Sequence, residues 1–598
     1  MHCAYIYQEA YNMLRKTKIV CTIGPASEPR EIFKELVKNG MNVARLNFSH
    51  GNHEEHLARI NMIKEVREEL KTPIAILLDT KGPEIRTGKF KEPVYTLVEG
   101  QEFILTTEDY LGDQNKCQIS YIGLPDDVVK GDRILIDDGL IELEVLETTK
   151  TEIKTKVLNA GDVKNNKGVN VPGVKINLPA ITQKDIDDII FGIKNGIDFI
   201  AASFIRKGSD VLEIRKVLED NYAHEIHIIS KIENQEGVDN LEEILEVSDG
   251  LMVARGDLGV EIATELVPIV QKRMIELCNR EGKPVITATQ MLDSMMRNPR
   301  PTRAEATDVA NAIFDGTDAV MLSGETAAGK YPLESVITMA KISLAAEGAL
   351  NYKELLQKRI LLADEKGVTS AVSHATANTA LELEATAIIT ATSSGFTAKR
   401  VSKLRPKAPV IACTISEAAC RRMSLVWGVF PLVIGEATST DKIFDLSVAK
   451  AKEEGYIKDG DLVVITAGVP VGVSGATNIM KVQLVGEVLI KGTGLVKDFV
   501  RGKACIGSTP EELEGKFNAG DILVSTSTDK DLMPFIQKAS GLIVEEGGYT
   551  SHGAIVALSL KIPCVVGAQN ATELLKDGSD ITLDSAKGIV YAGKGRVL

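Results

Sequence analysis

Short runs of apolar, often β-branched residues alternate with helix-period segments over the first half of the chain. Nearly continuous apolar strands between helix-period segments indicate a parallel sheet covered by helices. Eight such units, in about 250 residues once an insert is set aside, predict an α/β fold of the (β/α)8 TIM-barrel type. The eight predicted strands cover residues 18–24, 42–48, 74–80, 199–204, 227–233, 250–256, 284–290 and 319–325.

The pattern changes between residues 88 and 169, after the third predicted strand. Apolar and polar residues alternate there with a period of two, as in Arg133–Ile136, and Asp138-Gly139 favours a hairpin turn. These residues are therefore predicted to form a small β-barrel. Because the insert lies in a loop on the face where barrel active sites form, it can close over that face as a lid.

Two more α/β regions follow the barrel, and no low-complexity linker separates the parts. The first shows a helical pattern at residues 368–384 and strand patterns near residues 387–392, 409–414, 429–434 and 462–466. We predict an N-terminal extension at residues 1–12, the catalytic barrel at 13–87 and 170–345, the lid at 88–169, a C-terminal α/β domain at 346–486 and an extra α/β domain at 487–598.

The composition is that of an ordinary globular chain, since 44% of the 598 residues are hydrophobic and 25% are charged. The 69 basic and 83 acidic residues give a net charge of −14, which argues against coating nucleic acid or an anionic membrane. No apolar run reaches about 18 residues, so no membrane span is predicted. Eight scattered cysteines without a CxxC pair favour reduced, buried thiols and a cytoplasmic location.

Polar side chains cluster at the C-terminal ends of five predicted strands, which converge on one mouth in a barrel. Arg45, Asn47 and Ser49 alternate along the second strand and so share one side of it. Helix caps and structural ion pairs are the alternative for any one of these residues, but five strand ends together favour a site. The other members are Asp79, Thr80, Lys231, Glu233, Asp257 and Thr289.

The residue types at this mouth point to phosphoryl transfer. Glu233 and Asp257 supply the one or two carboxylates that Mg²⁺ takes beside substrate phosphate and water. Lysine and arginine next to such a metal suit a reaction that needs charge neutralisation more than covalent chemistry. A second, monovalent cation has a candidate set of hard oxygens in Asn47, Ser49, Asp79 and the Thr80 carbonyl.

Six contiguous motifs at these strand ends resemble those of pyruvate kinases: ARLNFSHG, LDTKGPEIR, SKIEN, ARGDLG, ATQML and LSGET. The resemblance runs from about residue 16 to residue 484. It implies transfer of the phosphoryl group from phosphoenolpyruvate to ADP, the last step of glycolysis. It also implies dependence on Mg²⁺ (or Mn²⁺) and K⁺, and a cytoplasmic homotetramer.

The resemblance also implies roles for individual residues. Lys231 would stabilise the phosphoryl group in flight, Arg45 would hold the substrate phosphate, and Gly256, Asp257 and Thr289 would hold the substrate carboxylate. Lys231, Arg45 and Thr289 are the implied catalytic residues, while an ordered water is an alternative to Thr289 as proton donor. The implied ligand sets are Glu233 and Asp257 for Mg²⁺; Asn47, Ser49, Asp79 and Thr80 for K⁺, with Glu84 typical of K⁺-dependent members; and Asn47, His50, Arg86 and Lys167 for the nucleotide.

A hydroxyl-rich loop lies between a strand and a helix of the C-terminal α/β domain. Hydroxyls, a glycine and helix N-terminal amides favour a phosphate nest, with a simple capped loop as the alternative. The loop matches the family's effector pocket and comprises Thr392, Ser393, Ser394, Gly395 and Thr397. Residues 467–475 lack the tryptophan and arginine of bisphosphate-sensing relatives. We therefore expect AMP or ribose 5-phosphate, not fructose 1,6-bisphosphate, as the effector.

The last domain carries the segment Gly547-Gly-Tyr-Thr-Ser-His552-Gly-Ala-Ile555. It resembles the swivelling phosphohistidine domain of phosphoenolpyruvate-utilising enzymes such as pyruvate phosphate dikinase, in which this histidine carries phosphate. The chain shows no ATP-grasp-like domain to exchange that phosphate, so we favour a structural appendage. The alternatives are dikinase-like phosphotransfer through His552 and, for the whole chain, a non-catalytic binding protein, although no motif residue is missing.

Two other patterns suggest sites but have simpler explanations. Residues 324–331 almost spell a P-loop, but Tyr331 stands where the Mg²⁺-binding hydroxyl belongs. His50, His53 and His56 have a spacing that hints at a zinc site, but their position at a helix start favours a solvated face.

Overall fold

The computed structural model describes residues 14–361, 367–437, 439–469, 477–486 and 488–593. These residues fall into two compact units, one within residues 1–363 and 416–431 and the other within residues 364–415 and 432–598. The predicted N-terminal extension at residues 1–12 lies outside the described part. The five predicted domain limits stay predictions.

The first unit contains a closed barrel of eight parallel strands, which confirms the predicted fold. Each strand pairs with its neighbours in chain order, and the eighth closes on the first. All eight predicted strands are present with slightly shorter bounds. From first to eighth, they are Lys18–Thr22, Val43–Asn47, Ala75–Asp79, Phe199–Ala202, His227–Ile232, Gly250–Ala254, Val285–Ala288 and Ala319–Leu322.

Helices surround the barrel and bury their apolar stripes against it. In His53–Leu70 the buried positions His56, Ile60, Ile63 and Val66 follow the three- and four-residue spacing of one helix face. Two of these helices begin with capping boxes, and the one formed by Thr302 and Glu305 satisfies backbone groups at both positions. The helices of this unit are Arg30–Lys38, His53–Leu70, Leu124–Asp127, Gln183–Lys194, Gly208–Asp220, Gln235–Asp239, Leu241–Val247, Arg255–Glu261, Val267–Glu281, Arg303–Asp315, Gly324–Ala327, Pro332–Gly348, Tyr352–Leu361 and Glu417–Met423, with 3-10 turns at Thr264–Leu266 and Asp293–Met296.

The N-terminal ends of the strands share a repeated hydrogen bond. An Asn or Asp stands directly before each even-numbered strand, and its side-chain oxygen accepts a backbone N–H of the preceding strand in the barrel. The pairs are Asn42 with Ile19 at 3.0 Å, Asp198 with Ile76 at 2.9 Å, Asp249 with Ile228 at 2.8 Å and Asp318 with Val285 at 3.1 Å. Each acceptor satisfies a buried amide at an end of the sheet, where an unpaired group would be costly.

Residues 416–431 pack at the N-terminal ends of the strands and belong to the same compact unit. Leu425 is fully buried in the inner core of the barrel, which includes Val20 and Phe199. The Gly428 N–H donates to the Lys16 carbonyl at 2.9 Å, and Arg421 donates to Asp198 at 2.7 Å. This segment therefore fills the end of the barrel that lies opposite the predicted site.

The insert after the third strand consists mainly of β-strands, as predicted, with a short helix at Leu124–Asp127. Its Asp138-Gly139 turn has positive φ at both residues and joins two antiparallel strands. The insert has its own apolar core, formed around residues such as Phe103, Leu143 and Ile153. A seven-stranded sheet runs in the order Ile85–Arg86, Gly168–Asn170, Arg133–Ile136, Ile141–Thr148, Glu152–Val157, Glu102–Thr106 and Lys116–Gln118, and Gly161–Lys164 pairs with Val94–Leu97.

Two further sheets are formed by residues that follow the barrel in the chain. The five-stranded sheet has the order Val429–Val433, Val410–Thr414, Ala387–Ala391, Leu462–Ala467 and Ile479–Leu484. The eight-stranded sheet has the order Val488–Lys491, Ile589–Ala592, Asp580–Asp584, Phe499–Ile506, Ile522–Ser525, Gly541–Val544, Cys564–Val566 and Thr493–Leu495. The helices of the second unit are Val368–Glu382, Phe396–Ser402, Thr440–Glu453, Pro510–Leu513, Met533–Ile536, His552–Leu560 and Ala571–Leu574, with a 3-10 turn at Lys530–Leu532.

Two further predictions from the sequence concern the cysteines and membrane-spanning helices. The seven cysteines in the described ranges are all buried, as predicted, and Cys3 lies outside those ranges. Among the helices of these ranges, none combines the length and hydropathy needed to span a bilayer.

Candidate active site

The C-terminal ends of the second, third and fifth barrel strands bring Arg45, Asp79 and Lys231 into direct contact. Arg45 Nε donates to Asp79 Oδ2 at 2.6 Å, and Lys231 Nζ lies 3.3 Å from Asp79 Oδ1. Asp79 is only 1% exposed. Burial opposes its ionisation, but Arg45 and Lys231 outweigh burial and hold the pKa of Asp79 below its usual value. Two cations are thus held together by one buried carboxylate.

Lys231 also contacts the carboxylate two residues further along its own strand. Its Nζ lies 2.8 Å from Glu233 Oε1. Burial disfavours the lysine's charge, but Asp79 and Glu233 overcome that penalty and raise the pKa of Lys231. Lys231 is therefore a fixed ammonium group, a charge that suits binding of a phosphoryl group.

Glu233 and Asp257 lie at the ends of adjacent strands. Glu233 Oε2 accepts the Phe204 N–H at 2.6 Å. Burial raises the pKa of the Glu233 carboxyl above its usual value, and nearby Asp257 adds to this rise while Lys231 opposes it. In the described ranges, the Asp257 carboxylate makes no hydrogen bond or ion pair with protein. Its oxygens are thus available to a ligand.

Thr289 and Gly256 form the edge of the site at the sixth and seventh strands. The Gly256 N–H donates to Thr289 Oγ1 at 2.8 Å, and this hydroxyl lies 2.7 Å from the Ala288 carbonyl. Thr289 has a φ of 65°, a costly conformation for a β-branched residue. Arg255 donates to the Thr289 carbonyl at 2.7 Å and helps to hold it there.

The four residues predicted to bind K⁺ come from two neighbouring strand ends. Asn47 and Asp79 are partners in the parallel register, and the Phe48 N–H donates to the Asp79 carbonyl at 3.0 Å. The Asn47 side-chain oxygen accepts the Ser49 N–H at 3.1 Å. The Thr80 carbonyl accepts the Ser203 hydroxyl at 2.7 Å. The predicted oxygens are therefore gathered at one side of the mouth.

A cavity of about 570 Å³ lies between the insert and the barrel mouth. Arg86, Lys167 and Asp257 line it, whereas Arg45, Lys231 and Thr289 do not. Arg86 donates to both carboxylate oxygens of Glu84, at 2.6 and 2.8 Å. Lys167 Nζ lies 2.8 Å from Asp137 Oδ1. The cavity thus brings two of the predicted nucleotide-binding cations together, next to one predicted metal ligand.

His50, predicted to bind the nucleotide, does not line this cavity, and its side chain is exposed. The three nearby histidines also do not converge. His53 Nε2 lies 2.7 Å from Asp188 Oδ1, and the buried His56 stacks on Phe48 and contacts the His50 carbonyl. Among the described residues, no group of three or more His, Cys, Asp or Glu side chains could hold a metal. The zinc alternative therefore has no support.

The P-loop-like segment after the eighth strand does not form a phosphate cradle. The N–H groups of Ala328 and Gly329 both donate to the Gly324 carbonyl, at 3.0 and 2.9 Å. Glu325 is buried and accepts the backbone N–H groups of Leu292 and Ser323. Because these amides are used within the protein, they are not free to cradle a phosphate.

The predicted effector loop joins the strand Ala387–Ala391 to the helix Phe396–Ser402. The Gly395 N–H donates to Thr392 Oγ1 at 3.0 Å, and Gly395 adopts a positive φ of 88°. Thr397 is buried, and its hydroxyl lies 2.9 Å from Thr477 Oγ1. The five predicted residues lie in this loop and the first turn of its helix, and the Thr392 and Thr397 hydroxyls have partners within the protein. Most of residues 467–475 lies outside the described ranges.

His552 is the first residue of the helix His552–Leu560. Ser551 caps this helix by accepting the Ala554 N–H. His552 Nδ1 lies 3.0 Å from Thr528 Oγ1. Nε2 makes no hydrogen bond to any residue that the structure describes.

Sequence reasoning missed the end of the fourth barrel strand. Ser203 lies 2.9 Å from Lys231 Nζ, and the Phe204 N–H binds Glu233. Thr22 was missed as well, and it accepts a hydrogen bond from Arg45 at 2.8 Å. The only available signal was positional, since a polar residue directly after an apolar barrel strand belongs to the mouth.

Three family models match successive parts of the chain. The pyruvate kinase barrel domain matches residues 14–336, the pyruvate kinase alpha/beta domain residues 370–483, and the mobile domain of PEP-utilising enzymes residues 517–588. The chain belongs to the pyruvate kinase family. Among curated relatives, the pyruvate kinases of Geobacillus stearothermophilus, Bacillus licheniformis and Staphylococcus aureus (strain MRSA252) are 57%, 56% and 54% identical to it. Each match covers 98% of this chain and all of the relative. The chain is therefore a kinase of this family, as its motifs predicted.

Proposed function

We propose that this chain transfers the phosphoryl group of phosphoenolpyruvate to ADP and releases pyruvate and ATP. The observation that carries the proposal is the contact of Lys231 and Arg45 with one buried carboxylate, Asp79. Because both cations are fixed in place before substrate binds, little reorganisation is needed when charge develops on the phosphoryl group.

Arg45 and Lys231 bind the substrate phosphate in this proposal. Arg45 uses Nε and Nη1 to contact Asp79 and Thr22, which leaves Nη2 for the phosphate. The Gly256 and Asp257 amides and the Thr289 hydroxyl hold the substrate carboxylate, which must replace the contacts of Gly256 with Thr289 and of Thr289 with the Ala288 carbonyl. The group that protonates the enolate is left open between Thr289 and an ordered water.

Arg86 and Lys167 bind the phosphates of ADP in the cavity that they line, and Asn47 and His50, which do not line it, complete the proposed nucleotide-binding set. ADP must draw these two cations partly away from Glu84 and Asp137. Movement of the insert over the mouth excludes water, which otherwise accepts the phosphoryl group.

Glu233 and Asp257 fit a divalent cation. They stand at adjacent strand ends, and the Asp257 carboxylate has no protein partner in the described ranges. Bound there, Mg²⁺ or Mn²⁺ supplies positive charge to the phosphate oxygens. For K⁺, Asn47, Ser49, Asp79 and the Thr80 carbonyl provide hard oxygens on neighbouring strands.

A coupled assay of pyruvate formation tests this proposal. Wild type with phosphoenolpyruvate, ADP, Mg²⁺ and K⁺ should form pyruvate, and removal of Mg²⁺ or K⁺ should reduce the rate. Lys231→Met should lower kcat at least about 100-fold because a fixed charge at the phosphoryl group is lost. The exposed Lys216→Met provides a matched control and should leave kcat unchanged. Equal turnover of Lys231→Met and wild type would remove Lys231 from the mechanism.

We further propose that Thr392, Ser393, Ser394, Gly395 and Thr397 bind a monophosphate such as AMP or ribose 5-phosphate, which activates the enzyme. Titration of each monophosphate and of fructose 1,6-bisphosphate at low phosphoenolpyruvate tests this. Activation by the bisphosphate alone would contradict it. The homotetramer and cytoplasmic location remain predictions, and sedimentation analysis tests the first.

A second candidate function is phosphotransfer through His552. The observation in its favour is the Thr528 contact at Nδ1, which leaves Nε2 open to a phosphoryl group. Incubation with phosphoenolpyruvate labelled in its phosphate should label wild type but not His552→Ala if this function exists. Loss of pyruvate formation in His552→Ala would favour the dikinase-like alternative. An unlabelled wild type would favour a structural role for the domain.

A further inference from the structure

Ser203 follows the fourth barrel strand and is only 4% exposed. Its hydroxyl has three polar neighbours: Lys231 Nζ at 2.9 Å, the Thr80 carbonyl at 2.7 Å and Asp79 Oδ1 at 3.4 Å. Because an ammonium group can only donate, the serine oxygen accepts from Lys231. Its single proton then goes to the closer acceptor, the Thr80 carbonyl. The hydroxyl therefore links the phosphoryl-binding lysine to a predicted K⁺ ligand.

The backbone fixes the position of this hydroxyl. The Ser203 N–H donates to Thr80 Oγ1 at 3.1 Å, and the Phe204 N–H donates to Glu233 at 2.6 Å. Phe204 has a positive φ of 57°, which a residue other than glycine adopts only at a cost. A Cβ at Gly82 would come within 2.9 Å of the Ser203 Cβ, so the opposing loop closes on Ser203. The serine has little freedom to move.

We propose that Ser203 is a positioning residue that holds both the Lys231 ammonium group and the Thr80 carbonyl in place. This inference rests on the function proposed above. The serine oxygen counters the pull of Asp79 and Glu233 on Lys231 and keeps an N–H directed away from both carboxylates. Its proton occupies one lone pair of the Thr80 carbonyl, and the other lone pair would be available to K⁺.

Removal of the hydroxyl therefore has two expected effects. Lys231 relaxes onto the carboxylates, which weakens its contact with the phosphoryl group, while Arg45 and Thr289 still hold the substrate. Misplacement of a catalytic group by about 1 Å can cost about 100-fold in rate. The Thr80 carbonyl also turns from its position, so K⁺ binding weakens.

The experiment compares wild type, Ser203→Ala, Ser203→Cys and a control, Ser343→Ala. Ser343 is buried and donates to the Met339 carbonyl at 2.8 Å in a helix outside the site. For Ser203→Ala we expect kcat to fall about 10- to 100-fold, with the KM for phosphoenolpyruvate within about threefold of wild type. The K⁺ concentration for half-maximal rate should rise. Cysteine, a weaker hydrogen-bonding group of similar shape, should give an intermediate kcat.

A second measurement needs no turnover. Melting temperatures are recorded in KCl and in tetramethylammonium chloride at equal ionic strength, without substrates. Wild type and Ser343→Ala should be stabilised by K⁺, and Ser203→Ala should show a smaller shift. Should Ser203→Ala fail to fold, Ser203→Cys carries both measurements.

Three results would overturn the inference: an unchanged kcat in Ser203→Ala, an increase in KM alone, or an equal loss of kcat in Ser343→Ala. An unaltered K⁺-dependent melting shift would remove the link to Thr80. Absence of pyruvate formation by wild type would instead count against the proposed function.

Discussion

Lys231 and Lys18 are buried at opposite ends of the same barrel, and their environments shift their pKa values in opposite directions. Their exposed fractions are 9% and 3%. The pKa of Lys231, at the mouth, is raised, whereas burial lowers the pKa of Lys18, at the base, to about 7. Burial penalises the charge in both cases, so the difference must come from their partners.

Lys231 contacts two carboxylates directly, Asp79 and Glu233. Lys18 Nζ contacts the Val429 carbonyl at 2.5 Å and the face of the Phe430 ring at 4.7 Å. Carboxylates are also present at the base, but backbone N–H groups use them: Glu347 accepts from Lys16 and Thr17, and Asp318 from Val285 and Trp427. Arg15 disfavours the Lys18 charge further.

The comparison separates a charged site from a structural one. At the mouth, Arg45 and Lys231 contact buried carboxylates and stay charged, so they can bind an anion. At the base, acidic side chains accept backbone N–H groups at the strand ends, and Asp198 also binds Arg421. This agrees with the general division of such barrels, in which one face carries function and the other stability.

The substitution expected to disrupt the charge network at the mouth most strongly is Asp79→Asn, which leaves Arg45 and Lys231 without their shared counter-charge. Removal of one partner from a buried charge network costs about 3–5 kcal/mol. We expect a lower melting temperature and a loss of kcat of at least about 100-fold. Calorimetry and the coupled assay measure the two effects, and a kcat close to wild type would show that Asp79 does not hold the two cations in a catalytic arrangement.

The next largest effect is expected at the base, from Leu425→Ala. Leu425 is fully buried in the inner core, so its truncation leaves a cavity and costs about 2–4 kcal/mol of unfolding free energy. Because the mouth is untouched, kcat at 25 °C should match wild type. Denaturant unfolding measures the loss. A selective loss of activity without loss of stability would contradict the separation of the two ends.

Lys18→Met tests the comparison of the two buried lysines through the pH dependence of stability. Between the folded-state pKa of about 7 and the unfolded value of 10.5, the unfolded chain binds more protons at Lys18, so stability from this group rises with pH. Between pH 7 and 10, the unfolding free energy of wild type should therefore increase relative to that of Lys18→Met. The increase is at most about 1.4 kcal/mol per pH unit. Parallel pH profiles of the two proteins would show that Lys18 stays charged in the folded state.

Ser424→Ala should have the smallest effect. Its hydroxyl donates to the Pro73 carbonyl at 2.5 Å at the base, and loss of one such bond costs about 1 kcal/mol. Thermal unfolding should detect this, while kcat stays unchanged. The same deletion of a hydroxyl at Ser203 should reduce kcat, and equal kinetic effects of the two variants would contradict the comparison.

Much of the fold was predictable because burial imposes a local pattern. All eight barrel strands follow from apolar runs, and Asp138-Gly139 predicted its hairpin because that turn needs positive φ at two residues. The site was predictable as a set of strand ends, since parallel strands direct those ends to one mouth. Ser203 was not, because one serine after one strand carries no distinguishing pattern.

The sequence by itself determined the alternation of strands and helices, the insert after the third strand and the motifs that indicate the family. Only the tertiary structure decided which carboxylates meet a lysine and which meet backbone amides. Asp79 and Asp318 are both aspartates at the end of a barrel strand, and one contacts Arg45 and Lys231 while the other contacts Val285 and Trp427. The physical reason is that hydrophobic periodicity is set by near neighbours in the chain, whereas a buried charge also depends on partners that other strands bring to it, such as Asp79 for Lys231, 152 residues away in sequence.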